Sequence, residues 1–227
     1  MNRATASGRD HGPLPALLLL LTVSTGMIDA VSFLGLGGVF AAAMSGNVIL
    51  FGIGIAGGGT LLSAALSLTA YSVGAACGGR MFLRGDPHRG ILLAGGTAIH
   101  AALVFTAALI GLRYGLSSTP LNRLILGMLA FSMGWQYSII RRLKVPDLTT
   151  TVVTTTLTGL FGESTGYDKQ HRRIMMIGML LLGALTGGLL WRLELRTAPM
   201  WVAGAILTGC AAAAYVAARR PGSQSWS

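Results

Sequence analysis

Asp29 is the only acidic residue placed well inside an apolar run of this chain. A carboxylate at membrane depth costs at least about 2.5–3.5 kcal/mol, so it needs either a partner or a task. Thr22, Thr25, Asp29 and Ser32 follow one another at intervals of 3, 4 and 3 residues, which puts them on one face of a helix. That polar stripe is expected to face the protein interior. Such a carboxylate can hold a proton or a cation, or it can orient a polar substrate. The plainer alternative is a structural carboxylate near a membrane boundary.

Four other places carry groups able to do chemistry. Ser45-Gly46-Asn47 interrupts the apolar stretch VFAAAMSGNVILFG. Its Ser45 and Asn47 side chains and the free N–H groups of a helix start would suit an anionic or dipolar partner. Ser132 and Gln136 share a helix face at i, i+4, with Tyr137 adjacent. They can contact substrate or bridge helices. Seven threonines (Thr149, Thr150, Thr151, Thr154, Thr155, Thr156 and Thr158) crowd one short segment, a pattern expected to line a wet cavity with hydroxyls. His100 stands alone in ILLAGGTAIHAALVFTAALIG. It is either a neutral imidazole bonded to another helix or a proton relay with Asp29. The candidate solute or coupling-ion residues are therefore Asp29, Ser45, Asn47, Gln136, Thr154 and Thr156. His100, Thr25, Ser32, Tyr137 and Gly46 stand behind them.

Other chemistries find no footing. Cys/His metal spacing, a nucleophile elbow and a phosphate-cradling loop are all missing from the sequence. Catalysis, a cofactor and a metal are not expected. Cys77 and Cys210 lie within apolar runs and read as small packing residues. The net charge of +10 could suggest nucleic acid, but no basic face with interleaved aromatics exists.

The elements that must position these residues are membrane helices. The chain is 52% hydrophobic and 11% charged, against about 25% charged in ordinary soluble domains. Eight apolar segments recur, at 14–36, 39–56, 60–79, 91–112, 121–140, 148–162, 174–191 and 199–218. If all eight cross, 9 of the 17 basic residues fall on the cytoplasmic side, with no bias. If the second and sixth enter and leave on one side, 13 of 17 are cytoplasmic. Only Arg113, Arg123, Arg192 and Arg196 are then outside. The positive-inside rule selects this arrangement, with both termini cytoplasmic. The 148–162 segment is also short of the roughly 20 residues a crossing needs. For 39–56, length alone leaves both a crossing and a re-entrant path open. The start of the chain, Met1–Gly12 followed by PALLLLLTV, has the pattern of a signal peptide. A later counterpart of the segment after those leucines argues that it is retained.

That counterpart belongs to an internal repeat. A shift of 109 residues carries Ser45-Gly46-Asn47-Val48 onto Thr154-Thr155-Thr156-Leu157. The same shift carries Gly74–Gly79 onto Gly183–Gly188 and 91–112 onto 200–221. With one residue of slack, Gly26–Ala30 falls on Gly134–Ser138. Each half then has three crossings and one re-entrant segment. Three is odd, so the second half runs inverted relative to the first. Inverted halves with broken elements are a recurring plan of secondary transporters, with the site between the halves near the midplane. Gly74-x-x-x-Gly78 and Gly183-x-x-x-Gly187 let helices approach closely. They serve packing within the chain or contact between two protomers.

TGMIDAVSFLGLGGVFAAAMSGNVILFGIG resembles the N-terminal signature of the YoaK-type bacterial membrane proteins, a domain-of-unknown-function family. The matching residues are Gly26, Asp29, Ala30, Phe40 and Ser45-Gly46-Asn47, with Ser45 where the family usually has Thr. A second signature matches Gly134, Gln136 and the Thr-rich 149–158, with Thr154-Thr155 in place of the usual Thr-Gly. The resemblance covers nearly the whole chain. It implies a small six-helix protein of the bacterial inner membrane and carries no substrate with it.

The expected fold is an all-α membrane protein of six transmembrane helices plus two re-entrant segments, in a 3+3 inverted repeat. Residues 1–13 form an N-terminal tail, 14–112 and 121–218 the two membrane repeats, and 219–227 a C-terminal tail. The expected function is a small-solute transporter or permease with a midplane site between the repeats. Its alternatives are a passive channel for a small neutral or anionic solute, and a non-transporting scaffold or assembly protein. The expected partners are the lipid bilayer, an unidentified small solute or ion, and a second copy of the chain through the Gly-x-x-x-Gly faces; nucleic acid is not among them.

Overall fold

The structure, a computed structural model, describes residues 12–81, 88–116, 119–143 and 167–221. Seven helices run through them: α1 (Leu14–Gly35), α2 (Met44–Ile55), α3 (Leu61–Met81), α4 (Arg89–Tyr114), α5 (Thr119–Leu143), α6 (Tyr167–Arg192) and α7 (Ala198–Ala218). Among the described residues there is no strand. Five helices, α1, α3, α4, α6 and α7, are long and apolar enough to cross a membrane. α5 has 25 residues, about 37 Å of helix, but it carries Asn122, Arg123, Gln136, Arg141 and Arg142. It can be more polar because it packs against α3 and α4. The segment 148–162, with Thr154 and Thr156, lies outside the described residues.

α2 has 12 residues, about 18 Å of helix, which is well short of a ~30 Å hydrocarbon core. The chain between α1 and α2 is irregular, and it turns back at Gly37 and Gly38, whose φ values are 110° and 70°. Both lie in the left-handed region that glycine enters without strain. The irregular stretch therefore precedes Ser45-Gly46-Asn47. Those three residues form the first turn of α2 rather than the break itself.

Four helices make the centre. α4 packs on α5 and on α7, α1 packs on α7, and α1 touches α5 lightly. α3 covers the far side of α5, α6 covers the far side of α1, and α2 lies against α3. Nearly all of this packing joins a helix from residues 14–114 to one from residues 119–218. Within the first half only α2 on α3 is substantial, and within the second only a small α6–α7 contact. Leu62, Val73, Leu181, Leu182 and Leu185 are exposed on the flanking helices, as a lipid-facing surface would be.

Lipid tails are as apolar as leucine, so close packing rather than water exclusion holds such helices together. Glycine provides it here. A Cβ on Gly74 would strike the Phe131 carbonyl oxygen, and one on Gly183 the Val23 carbonyl oxygen. A Cβ on Gly26 would meet the backbone of Leu180 and Ala184, and one on Gly134 the backbone of Tyr71 and Ala75. Gly78 faces Trp135 and Ser138, while Gly187 faces Met27 and Ala30. Each contact maps onto its counterpart by a shift of 108 residues on α1/α5 and 109 on α3/α6. The Gly-x-x-x-Gly faces thus serve packing within the chain, against α5 and α1. Cys210 is buried, as a packing residue would be, but Cys77 faces outward.

Candidate functional site

Two polar assemblies occur within the helices, and they differ in kind. The first anchors the start of α2. Asn47, fully buried, accepts the Phe40 N–H at 2.9 Å and donates to the Phe40 carbonyl at 2.6 Å. Its amide also donates to Ser67 Oγ on α3 at 3.0 Å, and the Ser67 hydroxyl donates to the same Phe40 carbonyl at 2.6 Å. Asp29 Oδ1 accepts the N–H groups of Ala41 at 2.9 Å and Ala42 at 2.7 Å. The Phe40 ring stacks on Phe33 with centroids 4.9 Å apart, and a Cβ on Gly46 would press against that ring. An irregular backbone needs all its polar groups satisfied at membrane depth. Asn47, Ser67 and Asp29 do this for residues 40–42.

The second assembly lies between the central helices. Thr97 and His100 on α4 and Gln136 on α5 are at most 2% exposed. Neither ring nitrogen of His100, neither amide atom of Gln136, nor Thr97 Oγ1 has a hydrogen-bond partner. Two contacts bring the three to one level. Trp135 Nε1 donates to the Gly96 carbonyl at 3.1 Å, and Ile139 packs on Gly96. Thr97 and His100 follow Gly96 within one turn of α4, and Gln136 lies between Trp135 and Ile139. Asn122 Nδ2 donates to the Gly35 carbonyl at 3.2 Å, which registers α1 against α5. About 15 Å from that contact along each antiparallel helix, α1 presents Thr25 and α5 presents Ser132. Both are buried, and both hydroxyls donate to their own helix, at the Leu21 and Leu129 carbonyls. Their oxygens keep lone pairs with which to accept. Buried polar groups in folded proteins are nearly always paired, and these five atoms of Thr97, His100 and Gln136 are not.

The structure therefore divides the expected site. The stripe of Thr22, Thr25 and Ser32 is buried as expected, but the hydroxyls of Thr22 and Ser32 bond the Leu18 and Asp29 carbonyls. No hydrogen bond links Asp29 to His100 among the described residues, so the expected relay has no direct contact. Ser45 is exposed. Tyr137 turns away from the core: its ring lies 6.3 Å from that of Tyr71 and beneath the Arg141 guanidinium at 5.9 Å. Gln136, His100 and Thr97 are all buried in the stretches of α4 and α5 that the Trp135–Gly96 hydrogen bond joins. Thr97 was not among the sequence candidates although its spacing from His100 is i, i+3. Ser67 was missed as well, because its link to Phe40 spans 27 residues and leaves no local pattern.

No solved structure matches the chain. A curated relative, the UPF0700 transmembrane protein YoaK of Bacillus subtilis (strain 168), is 31% identical over 167 residues, which are 70% of this chain and 72% of the relative. Residues 17–213 match the family described as protein of unknown function (DUF1275). With its apolar helices, the Gly26–Asp29 and Ser45–Asn47 motifs and that match over most of its length, the chain is a transmembrane protein of the YoaK-type DUF1275 family.

Proposed function

We propose that this protein is a small-solute permease of the bacterial inner membrane, built from two inverted halves. Six helices cross, α2 and the 148–162 segment are re-entrant, and both termini face the cytoplasm. The matching glycine contacts at offsets of 108 and 109 residues support the duplication. The short α2 supports a path that returns to the side it entered from. The charge count, 13 of 17 basic residues on one side, supports the orientation.

The observation that carries transport is the unpartnered set Thr97, His100 and Gln136 in the core between the halves. A purely structural protein gains nothing from burying unpaired polar atoms, each of which costs about 1–3 kcal/mol. A solute site does. In this reading the midplane contacts come from α4 and α5, and Asp29 and Asn47 hold the α2 break in shape rather than touching the solute. Asp29 remains the candidate coupling group, since protonating it would weaken its hold on Ala41 and Ala42.

The test is reconstitution of the full chain into proteoliposomes with a panel of small solutes. Saturable flux above protein-free vesicles is the expected result. Flux that is linear in concentration and independent of any gradient of protons or sodium would assign a passive channel instead. No flux for any solute, together with a stable partner protein on purification, would assign a scaffold.

A further inference from the structure

We infer that Gln136, His100 and Thr97 bind a small uncharged solute of the carboxamide or urea class. The inference rests on the permease reading and specifies its substrate chemistry. The three side chains offer a balanced set: an amide with both donors and acceptors, an imidazole with both, and a hydroxyl with both. One turn from Gln136 on α5, Ser132 adds an acceptor oxygen, and Thr25 on α1 adds another opposite it, their protons being spent on their own helices. No charged side chain belongs to the set. The nearest carboxylate along α1, Asp29, already holds two backbone N–H groups with one oxygen. An ion entering here would shed its hydration with no countercharge to replace it. A neutral molecule that both donates and accepts meets every unpaired atom. The molecule already contains the complementary pairing, since the Asn47 amide takes both an N–H and a carbonyl from Phe40. Gln136 can do the same for a carboxamide.

The polarity is also confined to one of two repeat-related helix pairs, α4 with α5 rather than α7 with α1. The 109-residue shift of the sequence repeat carries Thr97 and His100 onto Ile206 and Gly209, and the 108-residue shift of the α1/α5 glycine contacts carries Gln136 onto Ile28. Two apolar residues and a glycine therefore stand on α7 and α1 where α4 and α5 have three polar ones. The helix packing is served equally well without them, so the polar set answers to something other than packing.

The test uses the full-length protein in lipid nanodiscs with its histidine ring nitrogens labelled. The His100 resonances are identified by their loss in His100→Phe, and acetamide and urea are titrated in. A saturable shift of the His100 nitrogens is expected, absent with sodium chloride and lost in Gln136→Leu. Gln136→Leu should keep the wild-type melting temperature or raise it, because it removes an unpaired buried amide. If Gln136→Leu does not fold, Thr97→Val carries the same test, with an expected loss of affinity of about tenfold. No saturable shift, or one that persists in these variants, overturns the inference. Acetamide flux into proteoliposomes, measured in parallel, separates it from the broader reading. Flux without a His100 shift leaves a permease whose site is elsewhere, and a shift without flux leaves the site and removes the permease.

Discussion

Asn47 spends its side-chain amide on the backbone of Phe40 and on Ser67. Replacing it with leucine leaves the Phe40 N–H without its partner, while the Phe40 carbonyl keeps the Ser67 hydroxyl. Asn47→Leu should therefore lower stability by about 1–3 kcal/mol, seen as a drop in melting temperature in detergent. Asp29 allows a finer separation. Asp29→Asn keeps an oxygen able to accept from Ala41 and Ala42, whereas Asp29→Ala removes it. The asparagine variant should fold nearly as well as wild type, and the alanine variant should lose about 2–4 kcal/mol in the same melting experiment. If Asp29 couples transport to protons, the asparagine variant alone loses the pH dependence of uptake. Unchanged uptake across pH in Asp29→Asn would leave Asp29 as a structural cap. Both residues stood out in the sequence as polar groups in apolar surroundings. Their partners did not, because Phe40, Ala41 and Ala42 offer only backbone, which every residue has. Thr97 was hidden for the opposite reason. Threonine is ordinary in membrane helices, where its hydroxyl bonds the preceding turn, and only the structure shows that this one does not.

Among the described residues the helices fall where the apolar runs lead one to expect, because a hydrocarbon core sets a length scale that composition must obey. The run at 174–191 extends to Tyr167–Arg192 and that at 121–140 to Thr119–Leu143, each carrying basic residues at an end. What apolarity cannot show is which helix touches which, since all lipid-compatible faces look alike. Glycine positions supply part of that information, and they make a sharp prediction. Gly183→Ala and Gly74→Ala should each force two helices apart at a cost of about 1–3 kcal/mol. Gly188→Ala and Gly79→Ala, where an added Cβ meets nothing within 4 Å, should be neutral. Melting temperatures of the four variants check this. Equal losses in all four would mean that glycine acts here through backbone freedom rather than close approach.

At the scale of the whole molecule, the proposed topology puts Arg84 and Lys144 on the cytoplasmic side. Single cysteines at Arg84 and Lys144, in a chain with Cys77 and Cys210 replaced, should react with a membrane-impermeant maleimide only in inside-out vesicles. A cysteine at Arg196 should react only in right-side-out cells. The reverse pattern would invert the topology, and labelling of Lys144 and Arg84 from opposite faces would remove it.

The interlocking of the two halves bears on how the protein is made. α1 finds its main partners in α6 and α7, and α3 finds its partner in α5. When Tyr114 leaves the ribosome, the first four helices have been synthesised but almost nothing they pack against exists. At roughly 5–20 residues per second, the remaining hundred or so residues take about 5–20 s. Through that interval α1, with its buried threonines and Asp29, must wait in the membrane or at the translocon unpaired. Assembly is thus post-insertional, and the order of synthesis is not the order of folding. Two separately expressed pieces, cut between α4 and α5, should for the same reason be degraded alone and recovered as one complex when produced together.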